Sequence, residues 1–451
     1  MTGSRITRRR VLGGAALATA SAVVAPRVRG EYAAGKLSIA AWEHWVPGAN
    51  ETLARLCDEW GTRNRVEVHL DFVANSLAAN TEARGRSGHD IVAHPSWQIV
   101  LNRRLLEPVD DVVADLIGIY GPVSPVAEYL GRHNGTWRGV PATSGSMVKP
   151  CCSRLDLYRQ HCALDLSRVF PPDDQRDDAL VDSWTWELYL HTAERLFKAG
   201  HPVGLPMSHS SDAVDWTGAM FQSFGAVMVD QDGAVRIDSD QTRAGLEFMT
   251  KLLRFNARDA YAWDDTGNNR WLISGKGSGI INPPSAWAVA KRDNPRVAEQ
   301  CWTHDMPRGP AGRFVAQLPV FYGIWTFSRN QQAAKELLRF ISEPEQVRRL
   351  VAASNGADMP LFRSLHDLDA WRNSGPPHGT LYNYPPRGDQ RVTIAGMPAP
   401  PDVASQIYNT ALQVTMVTRL TRNGDTVDGA IKWAERELEG FLCVRSSRDC
   451  A

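Results

Sequence analysis

From Leu37 to Arg104 the chain alternates short strand-like runs with helix-like segments, and this restricts it to an α/β architecture. L-S-I-A-A-W (37–42) is an apolar strand, and Ala49 to Gly61 sets Leu53, Leu56 and Trp60 on one helical face. V-E-V-H-L-D-F (66–72) alternates with period two, D-I-V-A (90–93) is a shorter strand, and Gln98 to Arg104 reads as a helix. This β-α-β-β-α opening predicts a partly parallel sheet with helices packed on it. The Gly/Pro-rich stretch 135–145 reads as a crossing between two domains.

The pattern persists downstream. Trp184 to Ala199 is a helix, with Ser183 or Thr185 as its cap and Gly200 as its stop. Residues 227–238 read as a hairpin turning at Asp232-Gly233, followed by an amphipathic helix from Thr242 to Phe255. Asp230-x-Asp232-Gly233 begins like a calcium loop but lacks the later glutamate, which favours the hairpin. A buried strand (277–282), a strand around Phe321 to Phe327 and a helix from Gln331 to Ser342 follow. A proline-rich loop region spans 367–401, and two helices, about 403–420 and 426–442, complete the pattern.

Residues 1–30 read as a twin-arginine export signal: Thr7, Arg8, Arg9, Val11 and Leu12 supply the receptor-read part. The apolar run from Val11 to Ala25 is about 15 residues, short of the roughly 18–20 needed to span a bilayer, and Arg27 and Arg29 follow it. Ala20-Ser21-Ala22 is an acceptable cleavage site, and no cysteine precedes Cys57, so a free periplasmic protein is expected. The remaining length of about 420 residues suffices for two sizeable domains. Six of the 50 basic and none of the 50 acidic residues fall in 1–30, leaving a net charge of −6 beyond them. That balance gives no footprint for nucleic acid or anionic lipid.

Seven cysteines in an exported chain leave at least one unpaired. Cys162 is within reach of Cys151 or Cys152, and Cys443 of Cys450, while the lack of C-x-x-C argues against a zinc or redox motif. Neither a G-x-S-x-G elbow, an H-E-x-x-H helix nor a G-x-G-x-x-G fingerprint occurs. Gly275, Gly277 and Gly279 have the wrong spacing for a phosphate loop and read as a turn into a strand. Asp110-Asp111 and Asp173-Asp174 sit in polar stretches and read as solvated loops or caps. A glycosidase would instead need two carboxylates facing one cleft about 5–10 Å apart.

Several segments, in this order, resemble the extracellular solute-binding proteins of ABC importers, in particular the sugar-binding group that includes maltose-binding protein. G-T-W-R-G-V-P (135–141) is similar to the family's crossing, and S-R-L-D-L-Y-R (153–159) loosely matches its YN-type segment, with Ser153 where Asn is usual. S-W-T-W-E-L-Y (183–189) is similar to the family's TW-type helix start, with Ser in place of Pro. G-S-G-I-I-N-P-P-S-A-W (277–287), M-P-R-G-P-A-G-R-F (306–314) and the stretch from Trp325 to Gln346 complete the series. The resemblance implies a type II periplasmic-binding-protein fold of two α/β lobes joined by hinge crossovers around a ligand cleft. Lobe one would combine 36–141 with 308–345, and lobe two 142–307 with 346–451. It implies no enzyme, no cofactor and no metal. The expected partners are a sugar or polyol and ABC permease subunits, with no nucleic acid, and the protein itself is expected to be a monomer.

In open α/β sheets ligands bind beyond the carboxyl ends of the strands. Trp42, Glu43, His44 and Trp45 end the first strand, two indoles flanking a carboxylate that suits sugar hydroxyls. Trp97 follows the 90–93 strand beside His94, and Ser144 sits at the first crossover. Asn268, Asn269, Asn282, Ser285 and Trp287 supply amides, a hydroxyl and an indole from 264–287, where Arg270 would suit an acidic ligand. Tyr322 and Trp325 lie on the strand returning to lobe one. Tyr382 and Tyr384, two apart, would point oppositely in an extended strand, which disfavours the iron site of some relatives. A polyamine site would draw on Glu43, Asp264 and Asp265.

Overall fold

The computed structural model describes residues 35–73, 77–173 and 175–449. The export segment 1–30, Asp174 and Cys450 lie outside them. In chain order, β1 (Lys36–Trp42), β2 (Glu67–Val73) and β3 (Ile91–Pro95) open the fold. β4 (Val140–Lys149) passes through Pro150 alone into β5 (Cys151–Arg154). Then come β6 (Gly279–Ile281), β7 (Cys301–His304), β8 (Phe314–Ile324) and β9 (Arg391–Thr393). The larger sheet runs β9-β8-β3-β1-β2, and β4 also pairs with β8. β1 is parallel to β2 and β3, whereas β8 is antiparallel to β3 and β4. A smaller antiparallel sheet runs β6-β5-β7.

These pairings follow from the sequence. Leu37, Ile39, Ala40 and Ala41 of β1 are all buried, the mark of a strand covered on both faces. Pro150 has no N–H for a ladder, so the chain leaves one sheet there and joins the other. Helix α1 (Pro47–Asn64) starts on a proline, buries Leu53, Leu56 and Trp60, and stops at Arg65 in the left-handed region. Thr185 does cap its helix, α3 (Trp186–Lys198), accepting from the Leu188 N–H.

Four expectations need correction. A helix, α2 (Leu77–Gly85), stands between β2 and β3, so the opening is β-α-β-α-β; its run of small and polar residues carries little apolar periodicity. The 227–238 hairpin contracts to a turn with a single bridge between Val229 and Val235. The expected 403–420 helix is two, Pro401–Asn409 and Leu412–Arg422, broken at Ala411 with φ 51°. No Gly or Pro marks that break; packing imposes a conformation costing an alanine about 1–2 kcal/mol. Finally, Cys162 does not bridge Cys151 or Cys152: all three thiols are free. The Cys162 thiol faces the Thr192 carbonyl and the Cys151 thiol faces the Met306 sulfur. Of the 15 tryptophans, Trp97, Trp184, Trp186, Trp216, Trp287, Trp325 and Trp371 are fully buried in the core.

Candidate ligand-binding site

A cleft of about 770 Å³ opens at the carboxyl ends of β1 and β3. Its far wall comes from the N-terminus of α4 (Ser211–Ser223) and from the turns leading into α5 (Gly267–Ile273) and α6 (Ser285–Asp293). Of the residues expected from the sequence, Trp42, Glu43, His44, Trp45, Trp97, Asn269, Asn282 and Ser285 line it together.

The β1 corner is built on hydrogen bonds. His44 Nδ1 accepts the Val46 N–H at 2.9 Å, so its single ring proton sits on Nε2 and is donated to Asp358 Oδ1 at 2.8 Å. The same carboxylate oxygen accepts the Gly145 N–H at 2.8 Å. Trp42 meets the His44 ring edge-on, with centroids 5.0 Å apart. Behind β3, burial depresses the His94 imidazole to about 4, leaving it neutral with Nδ1 on the Val92 carbonyl. Ser96 takes the left-handed conformation with φ 51°, pinned by its N–H to the Pro319 carbonyl at 2.7 Å.

The floor is charged. Lys149, the last residue of β4, reaches Asp212 at 2.7 Å and Asp215 at 2.5 Å on α4. Burial works against its charge, yet the two carboxylates hold Lys149 above its ordinary pKa. Burial pushes the Asp212 carboxyl up to about 6, against the pull of Lys149. Asp212 Oδ2 accepts from Asn268 at 2.8 Å and Asn282 at 3.0 Å, and Asn282 also donates to Asn269 at 2.8 Å. Asn269 in turn reaches the Ser285 hydroxyl at 3.4 Å.

Five expected residues do not line the cleft. Asn268 is fully buried behind it, where it orients Asp212. Ser144 and Tyr322 are buried neighbours on β4 and β8. Trp287 turns into the proline-rich region, donating its indole N–H to the Pro376 carbonyl at 3.1 Å. Trp325 packs on His94 and donates to Glu82 at 2.9 Å. Tyr382 and Tyr384 are buried too, Tyr384 donating to the Ala357 carbonyl. Arg270 is exposed and paired with Asp264.

Sequence reasoning missed Lys149, Asp212 and Tyr408 on the walls. The available signal was a lone lysine within an apolar strand and two aspartates, three apart, in an otherwise apolar helix. Such charges are buried only when paired.

A maltose-bound MalE3 from T. maritima shares 18% identity and a TM-score of 0.70, over 90% of this chain and 99% of that one. An ABC transporter solute-binding protein from Thermotoga lettingae, bound with α-D-tagatose, shares 15% identity and a TM-score of 0.73, over 90% and 99%. A sugar transporter protein from Arthrobacter chlorophenolicus with bound laminaribiose shares 12% identity and a TM-score of 0.69, over 90% and 98%. At such identities the likeness carries the fold, two α/β lobes around a cleft. A search of curated proteins gave no match. The family model of bacterial extracellular solute-binding proteins matches residues 72–374, and the chain belongs to that family.

Proposed function

We propose that this protein is the substrate-binding component of an ABC importer, capturing a carbohydrate outside the cytoplasmic membrane and delivering it to a permease. One observation carries the reading: the cleft combines indole rings with buried polar atoms that no protein group satisfies. Trp42 and Trp45 supply flat apolar faces for the C–H faces of a sugar ring. Trp45 Nε1, Trp97 Nε1 and Gln98 Oε1 are buried without a partner. Each such group costs about 1–3 kcal/mol, a penalty that hydroxyls of a bound sugar would remove. The sugars held by proteins of similar fold support the same class.

In this reading residues 1–30 direct twin-arginine export to the periplasm, and the two lobes are built on the two sheets, with crossings at Pro150 and 305–313 in place of the expected 141/142 and 307/308. Capture involves no bond making: the sugar stacks on one lobe, closure buries it, and the permease distinguishes closed from open. Purified protein lacking 1–30 should show a tryptophan fluorescence change and a higher Tm with a sugar or polyol. Trp42→Ala should weaken that binding by about 1–3 kcal/mol. Turnover of a glycoside without retained product would overturn the reading.

A further inference from the structure

The charges of the cleft narrow the class of solute, resting on the carbohydrate reading. Its acidic and basic wall residues are Glu43, His44, Lys149, Asp212 and Asp265, with Tyr408 the further titratable group. His44 holds one ring proton, committed to Asp358. The Lys149 ammonium is shared between Asp212 and Asp215, so the cation at the floor already faces more negative charge than it carries. Two further carboxylates remain. Asp265 uses Oδ1 to accept from the Ser211 hydroxyl at 2.9 Å and the Asp212 N–H at 3.2 Å, neither of which is a cation. Glu43, exposed at the mouth, has no side-chain partner among the described residues.

Arginine is absent from the described walls, which disfavours phosphates and carboxylates as ligands. Closure over a neutral solute would strip water from Glu43 and Asp265 with no counter-charge, an unfavourable arrangement. An ammonium on the solute would supply that charge, and the indole faces would favour it further. Trp97 on the cleft wall, more than nine-tenths buried with its indole N–H unpaired, leaves hydrogen-bonding capacity for the rest of the molecule. We infer that the solute is a carbohydrate carrying a protonated amino group, held by Glu43 and Asp265.

Calorimetry on the protein lacking residues 1–30 tests this with matched sets: glucosamine, N-acetylglucosamine and glucose, the galactose series, and the 1,4-linked disaccharides of each. The amino form should bind at least about tenfold more tightly than its neutral counterparts, and that preference should fall as salt rises. Glu43→Gln and Asp265→Asn should each reduce the amino-to-neutral preference by about tenfold. Neutral sugars binding as tightly as their amino forms would overturn the cation while leaving the carbohydrate reading intact. Binding of spermidine with no binding of any sugar would overturn both.

Discussion

Gly145 shows how much a single residue decides in this cleft. It sits at φ 84°, and a Cβ there would meet Cε3 of Trp42 at 2.8 Å. Its N–H also goes to Asp358, the residue that orients His44. Replacing it with alanine therefore imposes backbone strain and pushes the Trp42 ring off its seat. Gly145→Ala should lower stability by about 1–2 kcal/mol, read as Tm, and weaken ligand several-fold. A stability loss with unchanged affinity would show that the seat of Trp42 does not matter for capture. The sequence made Trp42 to Trp45 legible because a strand end followed by aromatics locates itself. It could not separate Trp287 or Trp325 from them: an indole at a strand or helix end reads the same whether it faces the cleft or, as with Trp287, the Pro376 carbonyl. Lys149 and Asp212 were illegible for another reason. They are 63 residues apart, and only the tertiary fold makes either a wall residue.

At the scale of elements, α2 is held by charge more than by its modest apolar face. Glu82 on α2 accepts from the Trp325 indole at 2.9 Å and from His89 Nδ1 at 2.6 Å, while His89 Nε2 reaches Asp71 on β2 at 3.0 Å. The Glu82 hydrogen bond, acting against burial and aided by Asp71, raises His89 to about 9 from 6.5. His69 is the further titratable group at Asp71. A raised histidine stabilises the fold fully below pH 6.5 and loses that contribution as pH rises through about 9. Because His89 is partly solvated, the contribution should be about 1 kcal/mol. Stability measured by urea unfolding should therefore fall between pH 7 and 10, and His89→Gln should flatten that slope. A slope identical in the variant would remove His89 as its source. This tie also explains why α2 escaped the sequence reading: periodicity reports apolar faces, and α2 owes its place to a histidine beyond its own end.

The whole molecule is organised around the places where chain passes between the two sheets. Pro150 separates β4 from β5, residues 305–313 connect β7 to β8, and the 354–359 segment lies against the middle of β4. There Ser146 accepts the Val320 N–H on its hydroxyl at 2.9 Å and the Met359 N–H on its carbonyl at 2.7 Å. Asp358 adds the Gly145 N–H and His44, so β4, β8, the β1 corner and the 354–359 segment meet in one hydrogen-bonded knot. If capture closes the cleft as proposed, a knot of this kind would act as the pivot while the chain at Pro150 bends. Saturating ligand should therefore reduce the radius of gyration in solution scattering. Asp358→Ala removes the oxygen that accepts both the His44 and the Gly145 donors, and should cost about 1–3 kcal/mol of stability. If the knot is the pivot, the variant should also bind more weakly and show a smaller ligand-induced contraction. A radius that does not change with ligand in the wild type would mean that capture proceeds without closure, and the cleft would then have to bind in its present shape.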